Sequence, residues 1–321
     1  LPLIPTGLLF IGILMGLRLL TILPFNIYAT FVIEEKFGFN KTTPLVFLND
    51  LLKSIVLSSI IGGALLSLVL LLFESGGPAA WVLCWGASAV FLCVIQYVIP
   101  TWIMPLFNKF TPLEEGPLKT AIFEYARSID FPLANVFVMD GSRRSLKSNA
   151  FFTGFGKNRR IVLFDTLIKD QSIEELVAVL AHEMGHFKQK HIFKRLILAI
   201  VQLGIVFYLL SLFISHQGLF NAFFMDNVSV YAGLVFFGML YAPIDFFLSL
   251  FFQSISRKDE YAADRFAALS MNKSQPLISA LTRLSAHNLS NLTPHPLYVF
   301  LNDSHPPVID RITALNRLSH P

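Results

Sequence analysis

The amino-acid sequence predicts a mainly α-helical, polytopic membrane protein that carries a small β-sheet in its polar part. Three observations lead to this class. The 321-residue chain is 54% hydrophobic and only 14% charged, whereas soluble domains are about 25% charged. Five stretches are apolar over the length that a membrane-spanning helix needs, about 20 residues. Two polar blocks lie between and after these stretches, and short runs in them are typical of strands.

The five predicted spans divide the chain into four segments. Residues 1–107 hold three spans, residues 108–194 form the first polar block, residues 195–252 hold two more spans, and residues 253–321 form the second polar block. The spans themselves are Thr6–Ala29, Leu51–Phe73, Ala79–Ile99, Leu196–Ile214 and Val228–Phe252. Both cysteines lie in the third span, so no disulfide framework is predicted.

The positions of the basic residues predict the orientation of the chain in the membrane. Every Lys and Arg except Arg18 falls within residues 31–53, 108–195 or 253–321. Five spans place these three regions on one side of the bilayer, and basic loops stay in the cytoplasm. We therefore expect both polar blocks to face the cytoplasm. The basic residues are not interleaved with aromatic residues as in nucleic-acid-binding proteins, so no nucleic-acid partner is predicted.

A His-Glu-x-x-His motif lies on a predicted helix of the first polar block. Ser172 and Glu175 have the spacing of a capping box, which predicts that a helix begins there. His182 and His186 are four residues apart and project from one side of this helix, where two imidazoles can share one zinc ion. Glu183 lies beside them, where a carboxylate can take a proton from the attacking water. The alternative is a helix with two surface histidines.

The second polar block offers a third metal ligand. The stretch SRKDEYAAD (Ser256–Asp264) follows the last span and places Glu260 and Asp264 four residues apart on a predicted helix. One carboxylate can bind zinc while the other orients a ligand imidazole. The alternative is a solvated, charged helix face. Other divalent ions also accept histidine and carboxylate ligands, so these residue types do not by themselves select zinc.

Three short runs in the first polar block predict strands. They are rich in β-branched and aromatic residues and are separated by Gly and Asn; they are Asn135–Met139, Asn149–Phe155 and Arg160–Phe164. An exposed strand at the edge of a sheet can pair with an extended peptide. The alternative is a small packing sheet that has no contact with a substrate.

Together these motifs resemble the type 1 CaaX prenyl protease family, whose members are integral-membrane zinc metalloendopeptidases. The resemblance covers most of the chain, in the family's order, through the stretches Phe31–Asn40, Leu106–Gly116, Ser128–Ile168, Val179–His191, Ser256–Asp264 and Ser304–Ile312. It implies a helical membrane bundle with a zinc-metalloprotease domain assembled from residues 108–194 and 253–321. It also implies that the substrates are membrane-associated peptides with a C-terminal, prenylated CaaX sequence.

The resemblance assigns roles to the residues of the two metal motifs. One zinc ion per chain would be bound by His182, His186 and Glu260. Glu183 would be the general base that activates the attacking water. Asp264 would not bind the ion itself but would orient a ligand imidazole.

The resemblance also assigns residues outside these motifs. His305 and Arg311 match a motif whose residues approach the catalytic centre, so both are predicted catalytic residues, and His305 would steady the developing oxyanion. One segment matches the family's substrate-binding strand, which pairs with the extended substrate backbone, and its residues are Asn149, Ala150, Phe151 and Phe152.

The number of spans departs from the family pattern. Family members carry about seven spans and we predict five, so we expect either a compact, prokaryotic-like member or a chain that lacks N-terminal spans. Prokaryotes generally lack prenylated CaaX proteins, so in the first case a prenylated substrate does not follow. The expected location is the plasma or inner membrane in a prokaryote and the endoplasmic reticulum in a eukaryote. The expected partners are membrane lipid and a peptide or protein substrate.

Two other functions compete with this interpretation. The first is a quality-control metalloprotease of the heat-shock type, which shares the His-Glu-x-x-His motif and a downstream Glu. The stretches Phe31–Asn40 and Ser304–Ile312 favour the CaaX family over it. The second is a transporter or pore with an incidental metal site, against which the two ligand motifs and the long polar block argue. Intramembrane proteolysis fits poorly because His182 lies outside the predicted spans.

Overall fold

A computed structural model describes residues 2–153 and 160–319 of the chain. In order along the sequence, the α-helices are α1 (Leu3–Tyr28), α2 (Pro44–Ser75), α3 (Ala80–Val98), α4 (Met104–Phe107), α5 (Pro117–Ser128), α6 (Asp165–Asp170), α7 (Ile173–Lys188), α8 (His191–Phe213), α9 (Gln217–Asn221), α10 (Val230–Ser270), α11 (Gln275–His287), α12 (Pro296–Asn302) and α13 (Val308–Ser319). The strands are β1 (Phe110–Pro112), β2 (Asn135–Met139), β3 (Ala150–Thr153) and β4 (Arg160–Phe164).

The chain separates into two units, each built from two stretches of sequence. The first unit comprises Leu1–Gln96 and Arg195–Phe246, and it holds the apolar helices. The second unit comprises Tyr97–Lys194 and Phe247–Pro321, and it holds the sheet and the predicted metal motifs.

Five helices in the described part of the chain are long and apolar enough to cross a membrane, which confirms the predicted number of spans. Each of the first three reaches further than predicted. The helix of α1 continues as a π-helix to Glu34, and that of α3 continues through a second π-helix and α4 to Phe107. The last, α10, runs past the predicted end of its span at Phe252 to Ser270, because no Gly or Pro interrupts residues 253–270.

Large apolar side chains on the first three long helices are exposed. Leu20, Phe25, Ile60 and Val90 are 65%, 74%, 65% and 65% exposed. A soluble protein rarely shows so many exposed large apolar side chains along its helices, whereas a helix in a bilayer presents them to lipid. Their exposure is therefore what an integral membrane protein requires.

The second unit contains a mixed four-stranded sheet with the strand order β1-β2-β4-β3. β2 and β4 are parallel, and the other two pairs are antiparallel. Two of the predicted strands, Asn135–Met139 and Arg160–Phe164, are confirmed with these bounds. Of the predicted strand Asn149–Phe155, β3 covers Ala150–Thr153, and residues 154–155 lie outside the described residues. Because β3 ends the strand order, it is an edge strand.

Helix α7 begins at the predicted capping box. Oγ of Ser172 accepts a hydrogen bond from the backbone N–H of Glu175 at 3.3 Å, and Oε2 of Glu175 accepts one from the backbone N–H of Ser172 at 2.7 Å. Two of the N–H groups that a helix start leaves unpaired are thereby satisfied. The cap fixes where the helix begins, and with it the direction in which the later histidines point.

Helix α7 also lies at the centre of the core of the second unit. Leu176, Leu180 and Met184 are at most 1% exposed, and they join one cluster with Leu163 of β4 and Leu277 of α11. Burying each such side chain contributes about 1.5–3 kcal/mol. The helix is therefore held on its apolar side, while its opposite side carries the histidines.

Candidate metal centre

The three predicted ligands converge in the second unit. His182 and His186 project from α7, and their Nε2 atoms lie 3.1 Å apart. Glu260 projects from α10, with Oε2 at 3.4 Å from Nε2 of His182 and Oε1 at 3.3 Å from Nε2 of His186. The three ligand atoms thus lie within 4.8 Å of one another.

The arrangement of these atoms fits a zinc ion. Tetrahedral zinc with bonds of about 2.0–2.2 Å to nitrogen and oxygen places neighbouring ligand atoms roughly 3.3–3.5 Å apart. The two Nε2 atoms are 3.1 Å apart, and each lies 3.3 or 3.4 Å from one of the two carboxylate oxygens of Glu260, which is close to that range. Three protein ligands leave a fourth position open, which is the pattern of catalytic rather than structural zinc.

Asp264 contacts the imidazole of His182 at the nitrogen that does not face the predicted metal position. Its Oδ1 lies 2.8 Å from Nδ1 of His182, so a proton on Nδ1 leaves the lone pair of Nε2 free for a metal. Burial alone would lower the pKa of His182, but hydrogen bonds to Asp264 and Glu260 raise this pKa to about 9. The carboxylates therefore favour a positive charge at this position, and a bound cation supplies one.

The predicted general base shares one cavity with two of the three predicted ligands. Glu183, His182 and Glu260 all line a cavity of about 170 Å³. Burial raises the pKa of Glu183, and the nearby charges of His182 and His186 oppose that effect only in part. A carboxylate with a raised pKa accepts and returns a proton near neutral pH more readily than an ordinary one.

Comparison with known proteins identifies the family. Residues 112–319 match the family model described as Peptidase family M48. Residues 2–109 match the model described as CAAX prenyl protease N-terminal, five membrane helices. The chain belongs to peptidase family M48. It is a zinc metalloendopeptidase that spans the membrane several times, as the sequence resemblance predicted.

Individual relatives of this M48 peptidase agree with the family models. A CAAX prenyl protease 1 homolog from Oryza sativa subsp. japonica is 40% identical over 92% of this chain and 70% of its own length. CAAX prenyl protease 1 from Saccharomyces cerevisiae is 39% identical over 98% of this chain and 72% of its own length. The crystal structure of S. mikatae Ste24p superposes with a TM-score of 0.94 at 37% identity, over 98% of this chain and 77% of that one.

Arg311 of the M48 peptidase is buried next to the predicted ligands His182 and Glu260. Its Nε and one terminal nitrogen donate hydrogen bonds to the two carboxylate oxygens of Asp264 at 2.8 and 2.6 Å. Its other terminal nitrogen lies 3.6 Å from Oε2 of Glu260. The guanidinium is therefore placed to hold two carboxylates of the site in position, and its predicted catalytic role stays a prediction.

His305 lies on the loop between α12 and α13. Its Nε2 is 3.5 Å from Oε1 of Glu260, and its side chain is 66% exposed. Arg257 stabilises the start of this loop, because it donates hydrogen bonds to the carbonyls of Val299 at 3.3 Å and Asp303 at 2.6 Å. The loop thereby presents His305 at the edge of the cavity, which its side chain helps to line.

The four predicted substrate-binding residues divide into two pairs. Asn149 and Ala150 line the cavity together with His182 and Glu260. The ring of Phe151 instead contacts Phe164 at 6.3 Å between centroids, and the ring of Phe152 contacts Phe187 at 5.6 Å. The side chains of the second pair therefore pack against the protein, and only their backbone at the edge of the sheet is placed for peptide pairing.

Sequence reasoning missed two features of the site. Leu277, Leu281 and Leu284 from α11 form an apolar wall of the cavity; their helical spacing is typical of any buried helix face, so it gave no specific signal. His191 lies with Nδ1 at 3.0 Å from Nδ1 of His186. A third histidine five residues after the motif was the signal that could have identified it.

Proposed function

We propose that this M48 peptidase removes residues from the C-terminus of membrane-associated peptides of the CaaX type, prenylated ones included. The relatives named CAAX prenyl protease 1, matched over at least 92% of this chain, support this substrate class. The observation that carries the proposal is that Glu183 lines one cavity with His182 and Glu260, two of the three residues whose ligand atoms converge with His186.

The reaction divides among residues of this chain. His182, His186 and Glu260 would hold a zinc ion, which would supply a Lewis acid to polarise the scissile carbonyl and lower the pKa of a water. Glu183 takes a proton from the attacking water and passes it to the leaving amine as the carbon–nitrogen bond breaks. The raised pKa of Glu183 suits it to both transfers.

Two further residues support this chemistry. His305, at the edge of the cavity, donates a hydrogen bond toward the oxygen on which negative charge develops. Arg311 acts through Asp264 and Glu260, which it holds by hydrogen bonds and charge. We therefore assign His305 to the reacting atoms and Arg311 to positioning.

The substrate would enter along the edge of the sheet. An extended peptide pairs with the backbone of β3 by strand addition, beginning beside Asn149 and Ala150 in the cavity. The apolar wall of Leu277, Leu281 and Leu284 accepts an aliphatic side chain next to the scissile bond, as the aliphatic positions of a CaaX sequence provide.

The polar blocks would work on the cytoplasmic side of the membrane. The distribution of Lys and Arg supports this orientation, and membrane lipid surrounds the apolar helices. The eukaryotic relatives favour the endoplasmic reticulum as the location. No nucleic acid is expected as a partner.

The test uses the full chain purified in detergent. Cleavage of a fluorogenic farnesylated CaaX peptide is compared with cleavage of its unprenylated twin, for the wild type, Glu183→Gln and the exposed control Glu174→Gln, and zinc is measured in each sample. We expect about one zinc per chain, a preference for the farnesylated peptide, and at least a 10²-fold loss in Glu183→Gln alone. Equal cleavage of both peptides would favour the quality-control function, and full activity in Glu183→Gln would overturn the mechanism.

A further inference from the structure

We propose that His191 is a positioning residue of the metal centre, which accepts a hydrogen bond from His186 and is itself held by Asp259. The inference rests on the proposed zinc site but not on the proposed substrate. It concerns the second histidine ligand, which Asp264 does not contact in the way that it contacts His182.

The three side chains form a buried series. Nδ1 of His186 lies 3.0 Å from Nδ1 of His191, with the rings inclined at 71°. Nε2 of His191 lies 3.5 Å from Oδ1 of Asp259, and Lys194 donates a hydrogen bond to the same oxygen at 3.2 Å. His191 and Asp259 are 5% and 4% exposed, so water screens these contacts little.

Only one placement of the protons is compatible with a metal on Nε2 of His186. A neutral imidazole that offers Nε2 to a metal carries its proton on Nδ1. This Nδ1 must then donate, and Nδ1 of His191 must accept. The proton of a neutral His191 is then on Nε2, which faces the carboxylate of Asp259. The opposite placement would put a proton on Nε2 of His186 and block the metal.

The groups around His186 resemble those around His182, the first histidine ligand. There, the carboxylate of Asp264 faces the imidazole and the cation of Arg311 lies behind the carboxylate. For His186 the carboxylate of Asp259 acts through one more imidazole, and the cation of Lys194 lies behind it. Such supports fix the orientation of a ligand and strengthen it as a donor.

The backbone after α7 brings His191 to this place. The helix ends at Lys188, and Lys190 adopts a left-handed conformation with φ of 58° while its N–H donates to the carbonyl of Phe187 at 2.9 Å. The next helix begins at His191, and this turn brings its first side chain back to His186. A left-handed conformation is unfavourable for a non-glycine residue, and the contacts of His191 oppose that cost.

The test measures metal binding in the full chain, so it does not depend on peptide cleavage. His191→Leu removes the acceptor, whereas His191→Asn keeps an acceptor oxygen near the position of Nδ1. The zinc Kd is measured by chelator competition, and the visible spectrum of the cobalt-substituted protein reports the ligand geometry. We expect His191→Leu to weaken zinc binding about 10–100-fold and to alter the cobalt spectrum, and His191→Asn to recover most of both.

A matched control separates positioning from folding. His287 is another histidine of the second unit, with Nε2 at 2.7 Å from the carbonyl of Leu146, and His287→Leu should leave the zinc Kd unchanged. If His191→Leu lowers the melting temperature but leaves the Kd and the spectrum as in the wild type, His191 is structural and the proposal is wrong. The same holds if His191→Asn recovers nothing. A wild type that binds no zinc would overturn the metal site together with this inference.

A double-mutant cycle tests the place of Asp259. Because Asp259 acts through His191, Asp259→Ala should weaken zinc binding in the wild type and add little in the His191→Leu background. If the two losses of zinc affinity add in the double variant, Asp259 does not act through His191.

Discussion

Asp264 and Arg311 form a buried ion pair with two parallel hydrogen bonds, next to the predicted ligand His182. The contacts measure 2.8 and 2.6 Å, and the two residues are 2% and 8% exposed. A guanidinium matches a carboxylate in this two-pronged way, whereas an ammonium group offers a single point of charge. The pair therefore fixes the plane of the carboxylate that faces Nδ1 of His182.

We expect Arg311→Lys to weaken zinc binding about 10–100-fold, because lysine keeps the positive charge but cannot make the two parallel hydrogen bonds that orient Asp264. Chelator competition measures the zinc Kd. Arg317→Lys is the control, since Arg317 is exposed on the same helix α13. An unchanged Kd in Arg311→Lys would show that charge alone suffices at this position.

Removal of the metal should lower thermal stability. A ligand that binds only the folded chain stabilises it by about 2.7 kcal/mol at a free concentration 100 times its Kd. We expect a chelator to lower the melting temperature of the wild type and of Glu183→Gln, in which the proposed ligands His182, His186 and Glu260 are intact. His186→Gln should melt at the same temperature with and without the chelator. A chelator effect that persists in His186→Gln would place the metal elsewhere.

Local features of the sequence predicted the helix of the site. The capping box at Ser172 and the spacing of His182 and His186 lie within one helix, so short-range rules determine where both imidazoles point. The strands Asn135–Met139 and Arg160–Phe164 were predicted for the same reason, because their residue types favour strands locally.

Contacts between distant residues could not be predicted from these rules. Arg311 meets Asp264 across 47 positions of sequence, and only the packing of α13 against the rest of the second unit brings them together. His191 reaches His186 because Lys190 adopts a left-handed conformation. The residues around Lys190 do not predict this conformation. The resemblance to a known family indicated Arg311, but it did not indicate its partner.

The acid stability of the second unit should depend on Glu175. Burial raises the pKa of Glu175, but hydrogen bonds from Ser279 and Ser172 and the charge of Arg283 outweigh burial, so this pKa lies below its usual value of 4.5. A folded pKa below the unfolded one means that ionised Glu175 stabilises the fold above pH 4.5. That stabilisation is lost as the pH falls through the folded pKa.

Glu175→Gln should therefore lower the melting temperature at pH 7 and reduce its further decline toward about pH 3. The melting temperature is measured by intrinsic fluorescence at a series of pH values. Glu174→Gln is the control, because Glu174 is exposed on the same helical turn and pairs only at the surface with Lys273. Parallel pH curves for the wild type and Glu175→Gln would contradict this assignment.

Gly185 lies between the proposed ligands His182 and His186 in the sequence of α7 and allows this helix to approach α10 closely. A Cβ atom at Gly185 would lie 3.2 and 3.3 Å from the backbone O and Cα of Ala263 and 3.1 Å from a ring carbon of Phe266. Two of these neighbours belong to the backbone of the helix that carries Glu260. They can move only if α10 moves, and Glu260 would move with it.

Overpacking should thus cost Gly185→Ala about 1–3 kcal/mol against a gain of roughly 1 kcal/mol in helix propensity, so we expect a net destabilisation of the second unit of up to about 2 kcal/mol. The substitution should also weaken zinc binding, because the shift of α10 separates Glu260 from His186. Melting temperature and zinc Kd are measured together. Gly86→Ala is the control: Gly86 lies in α3 with no atom within 4 Å of the added Cβ, so the same substitution should leave the zinc Kd unchanged and the stability equal or higher. If Gly185→Ala matched this control in both measurements, α10 would accommodate the added Cβ without moving the carboxylate of Glu260.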